Sequence, residues 1–178
     1  MVNPVVVIVG SGLAGYAVAR ELRKLKAELP IVMISADHGG FYSKPMLSNA
    51  LSSGKNPESI LNSDAVQMAS QLKITIRPHC RVTAINQPGG AVILVGGEKI
   101  FYDQLVLALG ADQVSLPLSG DGVAKILTIN DLDEYKKFRD ALAGKKRVSI
   151  IGAGLIGCEF ANDLATTGYH VDVIDISA

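Results

Sequence analysis

The chain is short of the residues that usually carry metal or thiol chemistry. It has two cysteines, Cys80 and Cys158. They form no C-x-x-C pair and have no metal-ligand spacing. The histidines, His38, His79 and His170, are scattered, so no metal site is expected. Both thiols are expected to serve as small core residues in a reducing compartment, the cytoplasm. Charge of one sign is also lacking: Lys and Arg number 17, Asp and Glu number 17, and the formal net charge is zero. That balance argues against a nucleic-acid face. The apolar run at Val5–Val9 is far too short to span a bilayer and has no charged region before it, so neither a membrane span nor a secretory leader is expected. No Ser–His–Asp arrangement and no low-complexity tract is visible.

What is present is a globular composition, 48 % hydrophobic and 19 % charged over 178 residues. That suffices for one good core, or for one domain and part of another. The run "VVVIVG" suits a central parallel strand covered on both faces. Helical spacing follows from Leu13 to about Lys26, and "IVMIS" (31–35) completes a β-α-β unit. A long polar stretch from His38 to about Ser63 reads as a functional loop. A short helix over 64–72 and the strand "KITIR" come next. "RVTAIN", "GAVILVG" and "KIFYDQ" are separated by glycine-rich turns and read as antiparallel strands. "LVLALG" returns to the buried parallel type. Residues 112–129 form a connection. Asn130 or Asp131 then caps a helix that stops at Gly144. "RVSIIGAGLIG" opens a second strand–turn–helix, which closes on "HVDVIDI".

Two G-x-G-x-x-G turns therefore stand in one chain, Gly10, Gly12 and Gly15 in "GSGLAG" and Gly152, Gly154 and Gly157 in "GAGLIG". In such a turn the first glycine allows the sharp bend from strand to helix, the second lets backbone approach a pyrophosphate, and the third lets helix pack on strand. The free N–H groups and the positive helix end hold the phosphates. Two turns imply two dinucleotides, one a fixed redox carrier and one an exchangeable donor. Asp175 lies about twenty residues beyond Gly152, where an acid binds the ribose and favours NADH over NADPH. Ser35, Ala36 and Asp37 are the corresponding candidates in the first unit, with Asp37 also readable as a solvated turn residue.

Two such motifs, with an antiparallel insert before "YDQLVLALGA", resemble the FAD-dependent pyridine nucleotide–disulfide oxidoreductases over the whole chain. "LVLALGA" is similar to that family's second FAD motif, with Leu109 in place of the usual Thr. "FYSKPMLS" (41–48) with "GAGLIGCEFANDLATTGY" resembles its rubredoxin-reducing branch and the neighbouring ferredoxin reductase group. The resemblance implies an α/β fold: a Rossmann-like FAD-binding domain with an antiparallel insert over residues 1–112, then the start of a Rossmann-like NAD-binding domain over 113–178. Family members continue beyond that point, so it also implies that these residues form an N-terminal portion with little activity of its own.

The family's disulfide reductases carry a C-x4-C pair, and its peroxidases a single Cys in the loop matching 41–48; this chain has neither. Electrons should then pass from flavin directly to an acceptor, rubredoxin or a similar small iron–sulfur protein. The alternatives are a ferredoxin reductase component of an oxygenase and a non-catalytic FAD-binding module. By resemblance, Ser11, Gly12, Leu13 and Ala14 face the FAD pyrophosphate, and Lys44 with Pro45 lies by the isoalloxazine. Val82 meets the adenine through its backbone, and Ala108 and Gly110 line the FAD cleft. Glu159 reaches toward flavin and nicotinamide, where it pairs with Lys44. Read without the family, Lys44 is also a solvated loop lysine, and Glu159 a first-turn acid favoured by the helix dipole.

Overall fold

The computed structural model describes residues 5–114 and 116–175. In chain order its elements are β1 (Val6–Val9), α1 (Leu13–Leu25), β2 (Ile31–Ile34), a 3-10 turn (Lys44–Ser48), α2 (Pro57–Ile60), α3 (Ala65–Leu72), β3 (Thr75–Arg77), β4 (Val82–Asn86), β5 (Ala91–Leu94), β6 (Lys99–Phe101) and β7 (Gln104–Leu107). A second 3-10 turn (Val123–Lys125), α4 (Leu132–Ala141), β8 (Arg147–Ile151), α5 (Leu155–Thr166) and β9 (His170–Ile174) follow. Ile176, expected at the end of the last strand, lies outside the described residues. The chain divides into two compact units. One runs to Tyr42 and resumes over Leu61–Ala111; the other joins Ser43–Ile60 to the residues from Asp112 onward.

The first unit is built on a parallel sheet of order β3-β2-β1-β7. β1 is central, with Val6 opposite Ile31 on one side and Gln104 on the other. All four of its residues are buried, as a strand covered on both faces requires. Side chains alternate across a strand, and here the alternation divides two cores. Val6 and Ile8 pack with Tyr16 and Ala19 of α1 and Met68 of α3. Val7 and Val9 pack with Val92 and Leu94 of β5. The antiparallel sheet β4-β5-β6 thus covers the face opposite the helices. Full burial of residues such as Val7 and Ile8 contributes about 1.5–3 kcal/mol each.

Local chemistry ends the helices. Asp64 and Gln67 form a reciprocal capping box at the start of α3. Arg23, in the last turn of α1, donates to the carbonyls of Leu72 at 2.7 Å, Lys73 at 2.9 Å and Ala27 at 2.6 Å, which occupies carbonyls at the ends of two helices. Helix ends leave such carbonyls without intrahelical partners.

The second unit contains the parallel pair β8-β9, in register from Arg147–His170 to Ile151–Ile174. Asp131 caps α4 by accepting from the Glu134 N–H at 2.8 Å. On α4 the Tyr135 ring lies against that of Phe138, and Phe138 meets Phe160 of α5 edge to face at 6.0 Å.

Two expectations need correction. The stretch from His38 to Ser63 is no single loop. Phe41 pairs with Ser63 at its base, and the 3-10 turn and α2 lie within it. Pro57 opens α2 and Pro45 is the second residue of the 3-10 turn, first-turn positions where a missing N–H costs nothing. Only one cysteine packs on a core: Cys80 is half-buried against the cluster of Val7, Val9 and Val92, whereas Cys158 is exposed. Cys158 occupies the position after Gly157 that buried Tyr16 occupies after Gly15, but α5 stands on two strands rather than four.

Candidate functional site

The two glycine turns share one geometry. The Gly10 N–H donates to Ile34 O at 2.8 Å, and the Gly152 N–H to Ile174 O at 2.7 Å. Gly10 and Gly152 have φ of +112° and +108°, where an L side chain is strained. A Cβ on Gly10 would also fall 2.0 Å from the Ala108 carbonyl oxygen. A Cβ on Gly15 would fall 1.9 Å from Gly10 O, and one on Gly157 2.0 Å from Gly152 O. The first glycines are thus fixed by backbone conformation, and the third by packing of helix on strand.

The middle glycines differ. A Cβ on Gly12 or Gly154 would meet nothing within 4 Å. Each is the N-cap of its helix, without a side-chain cap bond and without an acid in the first turn. Gly12, Leu13 and Ala14 are exposed, while Ser11 is buried. An open glycine at the start of an uncapped helix fits a pyrophosphate, which fills the space and accepts from the first-turn N–H groups.

Ser11 has a structural task. Its Oγ lies 2.6 Å from Ser35 Oγ and 3.3 Å from Asp37 Oδ1. The same Asp37 oxygen accepts from the Gly39 N–H at 2.8 Å. Asp37 is therefore half-buried and tied into its own loop, rather than a free turn residue. The Tyr16 hydroxyl donates to the Gly39 carbonyl. Burial pushes its pKa up to about 12, with Asp37 adding to the rise.

In the second unit Asp175 Oδ2 accepts from the Ala153 N–H at 2.5 Å, so the carboxylate stands at the glycine turn itself. Val82 opens β4 beside a register shift, Ala108 N donates to Val9 O at 2.8 Å, and Gly110 is exposed. Lys44 and Pro45 are exposed.

The expected Lys44–Glu159 ion pair is absent among the described residues. Lys44 Nζ donates to Asn130 Oδ1 at 2.8 Å, and Glu159 Oε2 accepts from Ser48 Oγ at 2.6 Å. A neutral partner of fixed geometry satisfies each charge instead. Glu159 is also no first-turn acid, since α5 begins at Leu155. Sequence reasoning missed Asp163, a buried carboxylate one helical turn beyond Glu159. Its i+4 spacing from Glu159 was the available signal.

A Rossmann-like α/β unit with an antiparallel layer, followed by a second strand–glycine–helix unit, defines the class of the molecule. Comparison with known proteins specifies it. Residues 4–178 match the model of the pyridine nucleotide-disulphide oxidoreductases, and the chain belongs to that family. It is 51 % identical over 177 residues to a rubredoxin-NAD(+) reductase of Acinetobacter baylyi, covering 97 % of this chain and 45 % of that protein. A rubredoxin-NAD(+) reductase of Alcanivorax borkumensis is 46 % identical over 170 residues, 96 % of this chain and 44 % of that protein. The chain thus spans less than half the length of these relatives. Among solved structures, a covalent putidaredoxin reductase–putidaredoxin complex superposes with a TM-score of 0.86 at 33 % identity, over 99 % of this chain and 43 % of that one. Among the described residues no helix is long and apolar enough to cross a membrane.

Proposed function

We propose that this protein is an NADH-dependent flavoprotein reductase that passes electrons from NADH, through FAD, to a small iron–sulfur protein, with rubredoxin the preferred acceptor. The observation that supports it most is the pair of glycine turns with equal geometry, each leaving its middle glycine open before an uncapped helix. The names of the relatives at 46 % and 51 % identity point the same way. In this reading residues 1–112 serve FAD and 113–178 begin the NAD-binding part. The free thiols Cys80 and Cys158 suit the cytoplasm.

Bound FAD supplies the redox chemistry, as acceptor of a hydride and donor of single electrons. The protein's residues bind and orient. Gly12, Leu13 and Ala14 hold the FAD pyrophosphate; Ser35, Ala36 and Asp37 shape the ribose end; Val82, Ala108 and Gly110 line the rest. Gly154 holds the NADH pyrophosphate, and Asp175 accepts from its ribose and repels a 2′-phosphate. Lys44 places a cation by the flavin ring, where fixed charge favours the negative charge that arrives with hydride. Glu159 faces the nicotinamide. With no cysteine in 41–48, no dithiol relay intervenes.

The full-length protein, purified with its flavin, tests this. Anaerobic NADH should bleach the flavin absorbance, and added rubredoxin should restore it with reduction of its iron. A yellow protein that NADH leaves unchanged would sink the reading. The 33 % identity to a putidaredoxin reductase favours a second acceptor class. Faster turnover with a two-iron ferredoxin than with rubredoxin would assign the protein to it.

A further inference from the structure

Within the second unit the 43–60 segment is tied to the later residues at several points, and one of them is a buried carboxylate with no role in the reading above. Asp163, on α5, is 3 % exposed. Its Oδ2 accepts from the Leu51 N–H at 3.0 Å and its Oδ1 from the Ser52 N–H at 2.7 Å. Among the described residues no basic group lies within ion-pair distance of it. The charge is met by two backbone donors more than a hundred positions away in sequence. Charge-assisted bonds of this kind are about twice as strong as neutral ones, and a buried carboxylate without them is costly. Asp163 therefore fixes the turn after the 3-10 helix.

One helical turn earlier, Glu159 accepts from Ser48 Oγ at 2.6 Å, and Ser48 is itself buried. The i, i+4 acids of α5 thus grip the segment at two points, 48 and 51–52, just beyond Lys44 and Pro45. The gripping helix is the one that begins at the second glycine turn, Gly154 being its N-cap. Neither grip is an electrostatic contact with Lys44, whose Nζ bonds Asn130.

We propose that Asp163 is a positioning residue for the reductase, setting the place of Lys44 by tying the 49–52 turn to α5. The proposal rests on the reading that Lys44 works beside the flavin. Asp163 touches no reacting atom; its effect passes through the 3-10 turn Lys44–Ser48.

The test is a double-mutant cycle in the full-length flavoprotein. Asp163→Asn keeps the volume and one acceptor oxygen, while its amide turns a donor toward a backbone N–H. Anaerobic stopped-flow at saturating NADH should show flavin reduction slowed about tenfold. Flavin content and NADH affinity should stay within about twofold, because the glycine turns are untouched. In a Lys44→Ala background the same substitution should slow reduction by less than about twofold, since coupled residues are non-additive. Ser48→Ala, which removes the other tie, should show the same dependence on Lys44 and serves where Asp163→Asn fails to accumulate. Equal losses in both backgrounds would show a general structural effect and overturn the proposal, as would an unchanged reduction rate. If NADH fails to reduce the flavin of the unmutated protein, the proposed function fails instead.

Discussion

At the scale of the residue, the six glycines of the two turns are not equivalent, and their differences make a test. Gly15→Ala drives a methyl to 1.9 Å from the Gly10 carbonyl oxygen. Backbone must shift, which typically costs about 1–3 kcal/mol, and thermal denaturation should show the loss with or without flavin. Gly12 has an extended backbone and open space around its Cβ position, so Gly12→Val should change the apo protein's stability by no more than about 1 kcal/mol. Yet it should purify without FAD, because the side chain fills the phosphate space. Normal flavin content in Gly12→Val would refute the placement of the site. Asp175 gives the second test. Its removal should lower the NADH-to-NADPH ratio of kcat/KM about tenfold, roughly 1.4 kcal/mol; an unchanged ratio would refute the ribose role of Asp175. Tyr16 gives a third. Burial holds its pKa near 12, above the ordinary tyrosine value of about 10. The native state then binds the proton more tightly than the unfolded one, so stability is full below about pH 10 and falls as pH rises toward the native value. Tyr16→Phe should flatten that alkaline loss, and a denaturant midpoint that falls equally in both proteins above about pH 10 would refute it. The glycines were legible because backbone conformation is a local property. The partner of Lys44, Asn130, and those of Asp163, Leu51 and Ser52, were not, because tertiary packing brings them from 86 and more than 110 positions away.

At the scale of the element, the strands and long helices follow from period and caps. Val6–Val9 reads as a buried parallel strand and is one. Of the two caps expected for α4, Asn130 and Asp131, it is Asp131 that accepts the backbone bond, and α3 begins on Asp64, a cap the sequence reading did not name. The sequence was least informative between 38 and 63, where Gly, Ser, Asn and Pro dominate and hydrophobic period is lost. There the 3-10 turn is held by Ser48 and α2 is four residues long. Such short pieces owe their existence to their partners, since an isolated helical turn is unstable. Arg23 shows how an element can end on a residue that has no local cap signature. Its guanidinium serves carbonyls of Leu72, Lys73, Lys26 and Ala27 at once. Arg23→Met keeps the stem and removes every donor, and should destabilise the protein by about 1–3 kcal/mol, with the unpaired carbonyls partly compensated by water. Arg23→Lys should recover less than half of this, because a point charge cannot span the fork that four carbonyls share. Equal urea midpoints for the unmutated protein and both variants would show that solvent replaces the guanidinium fully.

At the scale of the whole molecule, the two units differ in how completely their sheets are covered. The first has a four-stranded sheet between helices and an antiparallel layer, and β1 is buried throughout. Among the described residues the second has two strands, β8 and β9, in which no residue is buried, and Val173 and Ile174 are 42 % and 55 % exposed. At the start of α5 Leu155 is 78 % exposed. Two strands are marginal as an independent sheet, and exposed strand edges invite pairing with other chains. From Asp112 to Leu127 every described residue is exposed, and the 3-10 turn Val123–Lys125 is the sole helical or strand element among them. The 178-residue chain, expressed by itself, should therefore associate as concentration rises and should be cut first between 112 and 128 under limited proteolysis. The cores of Ile8, Tyr16 and Met33 and of Val7 and Val92 should leave residues 61–111 resistant, since protease samples local opening and these side chains are fully buried. Flavin occupancy should be low, and oxidation of NADH with any acceptor negligible. Size exclusion, mass spectrometry of the digest and a flavin spectrum test this together. A monodisperse yellow chain, uncut between 112 and 128 and able to reduce rubredoxin, would show that two strands and α5 suffice to complete the second unit.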